Sequence, residues 1–210
     1  MKKTFVLVVL FIFPLVAYLF FASGVNNFGK LPVLTENIPE LDGFSGSSKL
    51  ENRITVLGFL GNNIGRKKGN ALNLNQKIYK RFSDFNDFQM LMVVPEGHES
   101  EVSELKEDLG ALSEVEKWNF VFGAESDIKS FFASLKTNLE LDMDLGTPYV
   151  FIIDKNRNLR GRNDDEDEGV KYGFNTTSVA ELNNKMEDDV KIILAEYRLA
   201  LKKNNADRSK

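Results

Sequence analysis

"LGTPYVFIID", residues 145–154, decides how the rest of the chain is read. A threonine–proline step runs straight into Tyr149, Val150, Phe151, Ile152 and Ile153 and stops at Asp154. Proline has no N–H to give to a ladder, so Pro148 belongs at the start of a strand, and the bond before it can be cis or trans. A run this apolar, with no polar alternation, fits a strand buried on both faces. Downstream, "KNRN" (155–158) turns the chain into "LRGR" (159–162), a fifth strand that closes a tight antiparallel hairpin. The chain then ends in "SVAELNNKMEDDVKIILAEYRLALKK" (178–203). Here Val179, Leu182, Met186, Val190, Ile193, Leu194 and Tyr197 fall on one helical stripe, with residues 176–178 as its cap.

Upstream of the same stretch, strands and helices alternate. "ITVLGFLG" (54–61), "FQMLMVVP" (88–95) and "WNFVFG" (118–123) read as strands. Between them lie three amphipathic helices: "ALNLNQKIYKRFSDF" (71–85), "ESEVSELKEDLGAL" (99–112) and "ESDIKSFFASLKT" (125–137). The first turns Leu74, Ile78, Phe82 and Phe85 to one side and Lys77, Lys80 and Arg81 to the other. The order β-α-β-α-β-α-β-β-α predicts an α/β thioredoxin-like fold over 51–204. In it a mostly parallel central sheet carries a C-terminal antiparallel hairpin and has helices on both faces.

The first residues read differently. Lys2 and Lys3 precede a charge-free apolar run from Phe5 to Ala22, about the length that spans a bilayer as a helix. Pro14 is tolerated better there than in a soluble helix. A cleaved signal peptide would have a shorter apolar core and an A-x-A-like site, which "FFASG" fits poorly. Residues 1–24 are therefore expected to be an uncleaved single-pass anchor. The two lysines place the N-terminus in the cytoplasm and the body on the periplasmic or extracytoplasmic side of the inner membrane. Residues 25–50 read as a tether ending in a lead-in strand, and 205–210 as a polar tail. Net charge is −4 over 210 residues, so nothing points to nucleic acid. The chain contains no cysteine, which excludes a disulfide framework, a catalytic thiol and a thiolate metal site.

With the anchor, the lead-in "LPVLTENIPELDG", a first central strand ending "GF", and "TPYVFIIDKNRNLRGR" followed by a terminal helix, residues 32–203 resemble the SCO family. That family comprises membrane-anchored thioredoxin-like proteins whose active members bind copper and serve cytochrome oxidase assembly. The resemblance implies Cys-x-x-x-Cys two residues after Gly-Phe and a histidine just before the later hairpin. Laid on Gly58 and Phe59, those cysteines fall at Asn62 and Arg66, and the histidine at or near Gly146. All three copper ligands are absent. Copper(I) needs soft sulfur donors, and a guanidinium offers a metal no lone pair. The resemblance thus implies a degenerate member with a vacated active site, without cofactor and without copper.

"GNNIGRKKGN" (61–70) has glycines and cations but not the G-x-x-x-x-G-K-[ST] spacing of a phosphate loop. It reads as a solvated strand-to-helix connection with glycines at positive φ. Asn62, Asn63, Arg66, Lys67 and Lys68, with Gly146, Thr147 and Pro148, form the expected partner-binding face, its basic rim suited to an acidic protein surface or anionic headgroups. "RNDDEDEG" (162–169) has the opening rhythm of a calcium loop at Asp164, Glu166 and Glu168 but Asn175 at position twelve, so it reads chiefly as a mobile charged tip. His98 is the sole histidine and reads as an exposed loop residue. Trp118, Met90 and Met92 read as core. The functional expectation is a non-catalytic interaction protein of the cell envelope, an accessory or assembly factor of a respiratory oxidase or other membrane complex. The alternative is a metal-binding or enzymatic protein working through groups other than cysteine.

Overall fold

The computed structural model describes residues 2–22, 29–46 and 48–208. The main sheet has the strand order β1 (Val33–Thr35), β6 (Leu159–Arg160), β5 (Gly146–Ile153), β2 (Ile54–Leu60), β3 (Phe88–Pro95), β4 (Trp118–Gly123), with β9 (Phe174–Asn175) paired to β5. Side chains alternate across it. From β2, Ile54, Val56 and Leu60 enter one core, with residues of α2 (Ile64–Leu74), α4 (Glu99–Gly110) and α7 (Glu187–Arg208). Leu57 and Phe59 enter the other, with Ile128 and Phe131 of α5 (Glu125–Ser134) and with Ile38, Leu41 and Leu50 of the lead-in. Both faces are covered, which is why β2 and β3 are buried along their whole length. The result is an α/β thioredoxin-like fold on a mixed sheet.

The sheet is less parallel than the alternation of elements implies. Only β2 with β3 and β3 with β4 are parallel pairs; β5 runs antiparallel to β2, with Leu60 opposite Gly146 and Thr55 opposite Ile153. After α5 the chain arrives at the C-terminal end of β2 through residues 135–145 and enters β5 there, so no crossover back to the other end is made. The Thr147–Pro148 bond is trans.

The "LRGR" strand is split at Gly161. A Cβ there would lie 2.3 Å from the Lys171 carbonyl and 2.5 Å from Leu34 Cδ1, so only glycine lets these segments cross. Beyond it, β7 (Arg162–Asp165) and β8 (Gly169–Lys171) form a separate hairpin. The acidic stretch is therefore built into the fold, with Asp165 buried, and the mobile-tip reading is corrected.

The lead-in is packed from Leu31 onward: Leu31, Ile38, Leu41 and Leu50 are buried. Arg160 donates from Nε to the Leu31 carbonyl (2.9 Å), and Ser45 bridges to Phe122 at the β4 edge. A π turn (Asn75–Tyr79) carries α2 on into α3 (Lys80–Phe82), and a second (Leu182–Met186) joins α6 (Val179–Glu181) to α7. Ser178 caps α6 by accepting from Glu181 N–H (3.2 Å). Helix α7 continues to Arg208, so part of the expected polar tail is helical, while residues 209–210 lie outside the described residues.

Helix α1 spans Lys2–Ala22 around Pro14. Its side chains are described only at Val6 and over 9–18, short of the full apolar run in the sequence. Among the described residues no helix is long and apolar enough to cross a membrane. The expected end of the anchor at Gly24 and the start of the tether lie outside the described residues.

Candidate functional site

Asn62, Arg66 and Gly146, the positions expected to form a vacated site, sit where β2 ends and β5 begins. Gly61 makes the exit turn at φ +70, and a Cβ on it would lie 2.4 Å from the Asp144 carbonyl and 2.6 Å from Gly146 N. Asn62 N–H then donates to the Asp144 carbonyl (2.7 Å). Asn63 caps α2, its Oδ1 accepting from Arg66 N–H (3.2 Å). The helix therefore starts at Ile64, a full two turns before the predicted 71, because an Asn cap outweighs the glycines that follow it. Gly65 and Gly69 are helical, and of this stretch only Gly61 has positive φ.

This start puts Arg66, Lys67 and Lys68 in the first turns of a helix with no acidic residue there. Cations are unfavourable at that end of the helix dipole. Acids from other segments answer them: Lys67 Nζ lies 2.9 Å from Asp142, Lys68 Nζ 2.5 Å from Asp108, and Arg66 3.7 Å from Asp144. The expected free basic rim is thus corrected to a set of paired charges.

Asp142 organises the turn opposite. Its Oδ1 accepts from Asp144 N–H (3.0 Å) and Gly146 N–H (2.8 Å), its own N–H donates to the Gly146 carbonyl (2.7 Å), and Oδ2 takes Lys67. Burial pushes the Asp142 carboxyl up, but Lys67 and the two backbone donors outweigh it and hold the group below the usual aspartate range.

Lys67 packs across the start of β5. Its side chain is only 14% exposed and lies over Gly146, where a Cβ would come within 2.9 Å of both Lys67 Cε and the Leu60 carbonyl. No side chain fits at 146, so a histidine could not occupy that position in this backbone. Beneath, between Gly58, Lys67, Ala71, Met92 and Val150, a cavity of about 10 Å³ remains, room for one water at most. Thr147 is buried, and the Pro148 carbonyl is taken by Thr176 N–H (2.9 Å) and Oγ1 (2.6 Å). Of the expected partner face, Asn62, Asn63, Arg66 and Lys68 are exposed; Gly146 and Thr147 are buried, with Lys67 and Pro148 half-buried.

The other candidates are not brought together. Among the described residues no group of three His, Cys, Asp or Glu is placed to hold a metal ion. Three of the five acids of residues 164–168 meet lysines instead: Lys185 Nζ lies 2.7 Å from Asp165 and 2.7 Å from Asp167, and Lys171 bonds Glu168 as well as Glu181. Asp164 and Glu166 point to solvent, so the calcium reading has no cage. His98 immediately precedes α4 with Nδ1 3.4 Å from Glu101. Met90, Met92 and Trp118 are core, and Trp118 Nε1 donates to buried Asn75 (3.2 Å).

Sequence reasoning missed Asp142 and Asp144, which set the geometry of this end. The available signal was the Asp-x-Asp-x-Gly spacing before Thr147, a side-chain-closed turn pattern.

No family model and no curated protein sequence matches this chain. Solved structures do. The SCO1/SenC family lipoprotein from Bacillus anthracis str. Ames is 15% identical, with TM-score 0.53 over 77% of this chain and 97% of that one. The soluble domain of Sco1 from Bacillus subtilis is 11% identical, with TM-score 0.48, covering 77% and 94%. Arabidopsis thaliana ScoI with copper bound is 16% identical, with TM-score 0.44, covering 68% and 86%. The likeness to the Bacillus anthracis protein shows the fold of this chain, that of the SCO and thioredoxin-like structures, here carried by a sequence without cysteine.

Proposed function

We propose that this chain is a membrane-tethered, non-catalytic thioredoxin-like protein that works by contact with another protein of the cell envelope. One observation carries the reading: the end of the sheet matched to the SCO ligand positions is filled by the Lys67–Asp142 pair, in a chain with no sulfur nucleophile of the thiol kind. The apolar run from Phe5 to Ala22 supports an anchor, and Lys2 and Lys3 support an extracytoplasmic body. The contact face is the exposed part of this same end, Asn62, Asn63 and Arg66 with the turn residues Asp142, Met143 and Asp144. Among envelope complexes a respiratory oxidase, served as an accessory or assembly factor, is the one the SCO resemblance nominates.

Two experiments test it. A topology reporter fused after Lys210 is active only outside the cytoplasm, and mature protein whose N-terminus begins near Ser23 refutes the anchor. Asn62→Trp with Arg66→Glu changes exposed side chains and gives up the Arg66–Asp144 pair, but leaves the hydrogen bonds of Asp142 in place; co-purification from membranes then loses its partners. Asp164→Asn with Glu166→Gln retains them. The opposite result places the contact on the β7–β8 hairpin.

A further inference from the structure

The chain has five methionines. Met90, Met92 and Met186 are at most 1% exposed, each within the core between the sheet and the α2, α4 and α7 helices. Met1 lies outside the described residues. Met143 is the opposite case, 101% exposed, its side chain wholly in solvent.

This exposure is imposed by the turn rather than by a loose segment. Met143 sits between Asp142, whose carboxylate accepts from the N–H groups of Asp144 and Gly146, and Asp144, whose carbonyl accepts from Asn62. Leu145, held at φ +65 and buried, closes the turn by donating from its N–H to the Asp142 carbonyl (3.0 Å). Backbone bonds on both sides hold the peptide while residue 143 is directed outward, so no motion of the turn is needed to reach its sulfur. A thioether so displayed is open to two-electron oxidants.

We infer that Met143 is a reversible oxidation site, a thioether that peroxide converts to the sulfoxide at the end of the sheet where the vacated positions lie. In the step a sulfur lone pair attacks one peroxide oxygen and the O–O bond breaks. An S–O bond forms, and the displaced oxygen leaves as water after proton transfer. Sulfur loses two electrons and the peroxide gains them. The product replaces an apolar, protruding tip with a polar hydrogen-bond acceptor. Because Met143 packs against nothing, the fold tolerates this change. A methionine sulfoxide reductase restores the thioether. A cysteine-free chain thereby keeps one redox-responsive sulfur beside the Lys67–Asp142 pair. This inference does not depend on the partner reading.

The test exposes the full chain to millimolar-range hydrogen peroxide, quenches aliquots, digests them and follows each methionine peptide by mass spectrometry. The Met143 peptide is expected to gain one oxygen at least about tenfold faster than the peptides carrying Met90, Met92 and Met186. Methionine sulfoxide reductase should reverse the gain, and the thermal midpoint of chain oxidised only at Met143 should be unchanged. Met143→Leu should leave folded chain that takes up no oxygen in its 138–150 region. Equal rates for Met143 and the core methionines overturn the inference. A fall in thermal midpoint on oxidation of Met143 alone also overturns it, since it would mean the side chain packs.

Discussion

Replacing Asp142 with alanine removes the carboxylate that accepts from Gly146 N–H and Asp144 N–H and pairs with Lys67. The side chain is 42% exposed, so each backbone bond is taken at the value of an ordinary hydrogen bond rather than a charged one, about 1 kcal/mol, and the Lys67 pair at about 0.5–1 kcal/mol. Together they predict a loss of about 2.5–3 kcal/mol, a fall in thermal midpoint of about 5–12 °C for a domain of this size. Asp142→Asn keeps an acceptor oxygen for the two N–H groups but not the charge facing Lys67, and should cost about 1 kcal/mol. Urea unfolding followed by Trp118, the sole tryptophan and only 2% exposed, reads both. The carboxyl titrates below the ordinary aspartate value, so its stabilisation is fully present above about pH 4 and lost as pH falls through its lower folded value. The gap between the native chain and Asp142→Ala should therefore close in strong acid. An Asp142→Ala chain within about 0.5 kcal/mol of native, or an asparagine variant as costly as alanine, would refute this account of the turn.

Three further outcomes follow from the same geometry. Gly61→Ala should cost more than about 3 kcal/mol, because φ +70 and a Cβ at 2.4 Å from the Asp144 carbonyl act together, whereas Gly65→Ala, whose Cβ meets nothing nearer than 3.8 Å, should stabilise α2 by about 0.5–1 kcal/mol; urea unfolding separates the two. Arg160→Leu strips the partner from Asp154 and unties Leu31, so it should cost about 3–5 kcal/mol and open 31–35 to limited proteolysis, with Asp154→Leu in the same chain recovering part of the loss. Copper(I) offered with a moderate competing chelator should stay with the chelator in equilibrium dialysis; stoichiometric retention would overturn the vacated-site argument.

Local pattern settled much of this protein. The apolar runs at 54–61, 88–95, 118–123 and 147–154 are strands because burial on both faces needs uninterrupted hydrophobic side chains, and that requirement is written residue by residue. The helical stripes through Ile78, Leu105, Ile128 and Val190 are legible for the same reason, as is the missing thiol chemistry, since absent cysteines are absent in any fold. Tertiary structure alone decided the rest. Strand direction at β5 depends on which end of β2 the chain reaches after α5, a matter of path rather than composition. The charges of Arg66, Lys67 and Lys68 look free in sequence because their acids lie at 142, 144 and 108, and ion pairing is a property of distance in space. The acidic run at 164–168 looks mobile until Lys171 from the neighbouring strand and Lys185 from the π turn before α7 pair with Asp165, Asp167 and Glu168. Nothing in the sequence singles out Met143. Only the closed turn of Asp142, fixed by backbone donors across the end of the sheet, turns its sulfur into solvent.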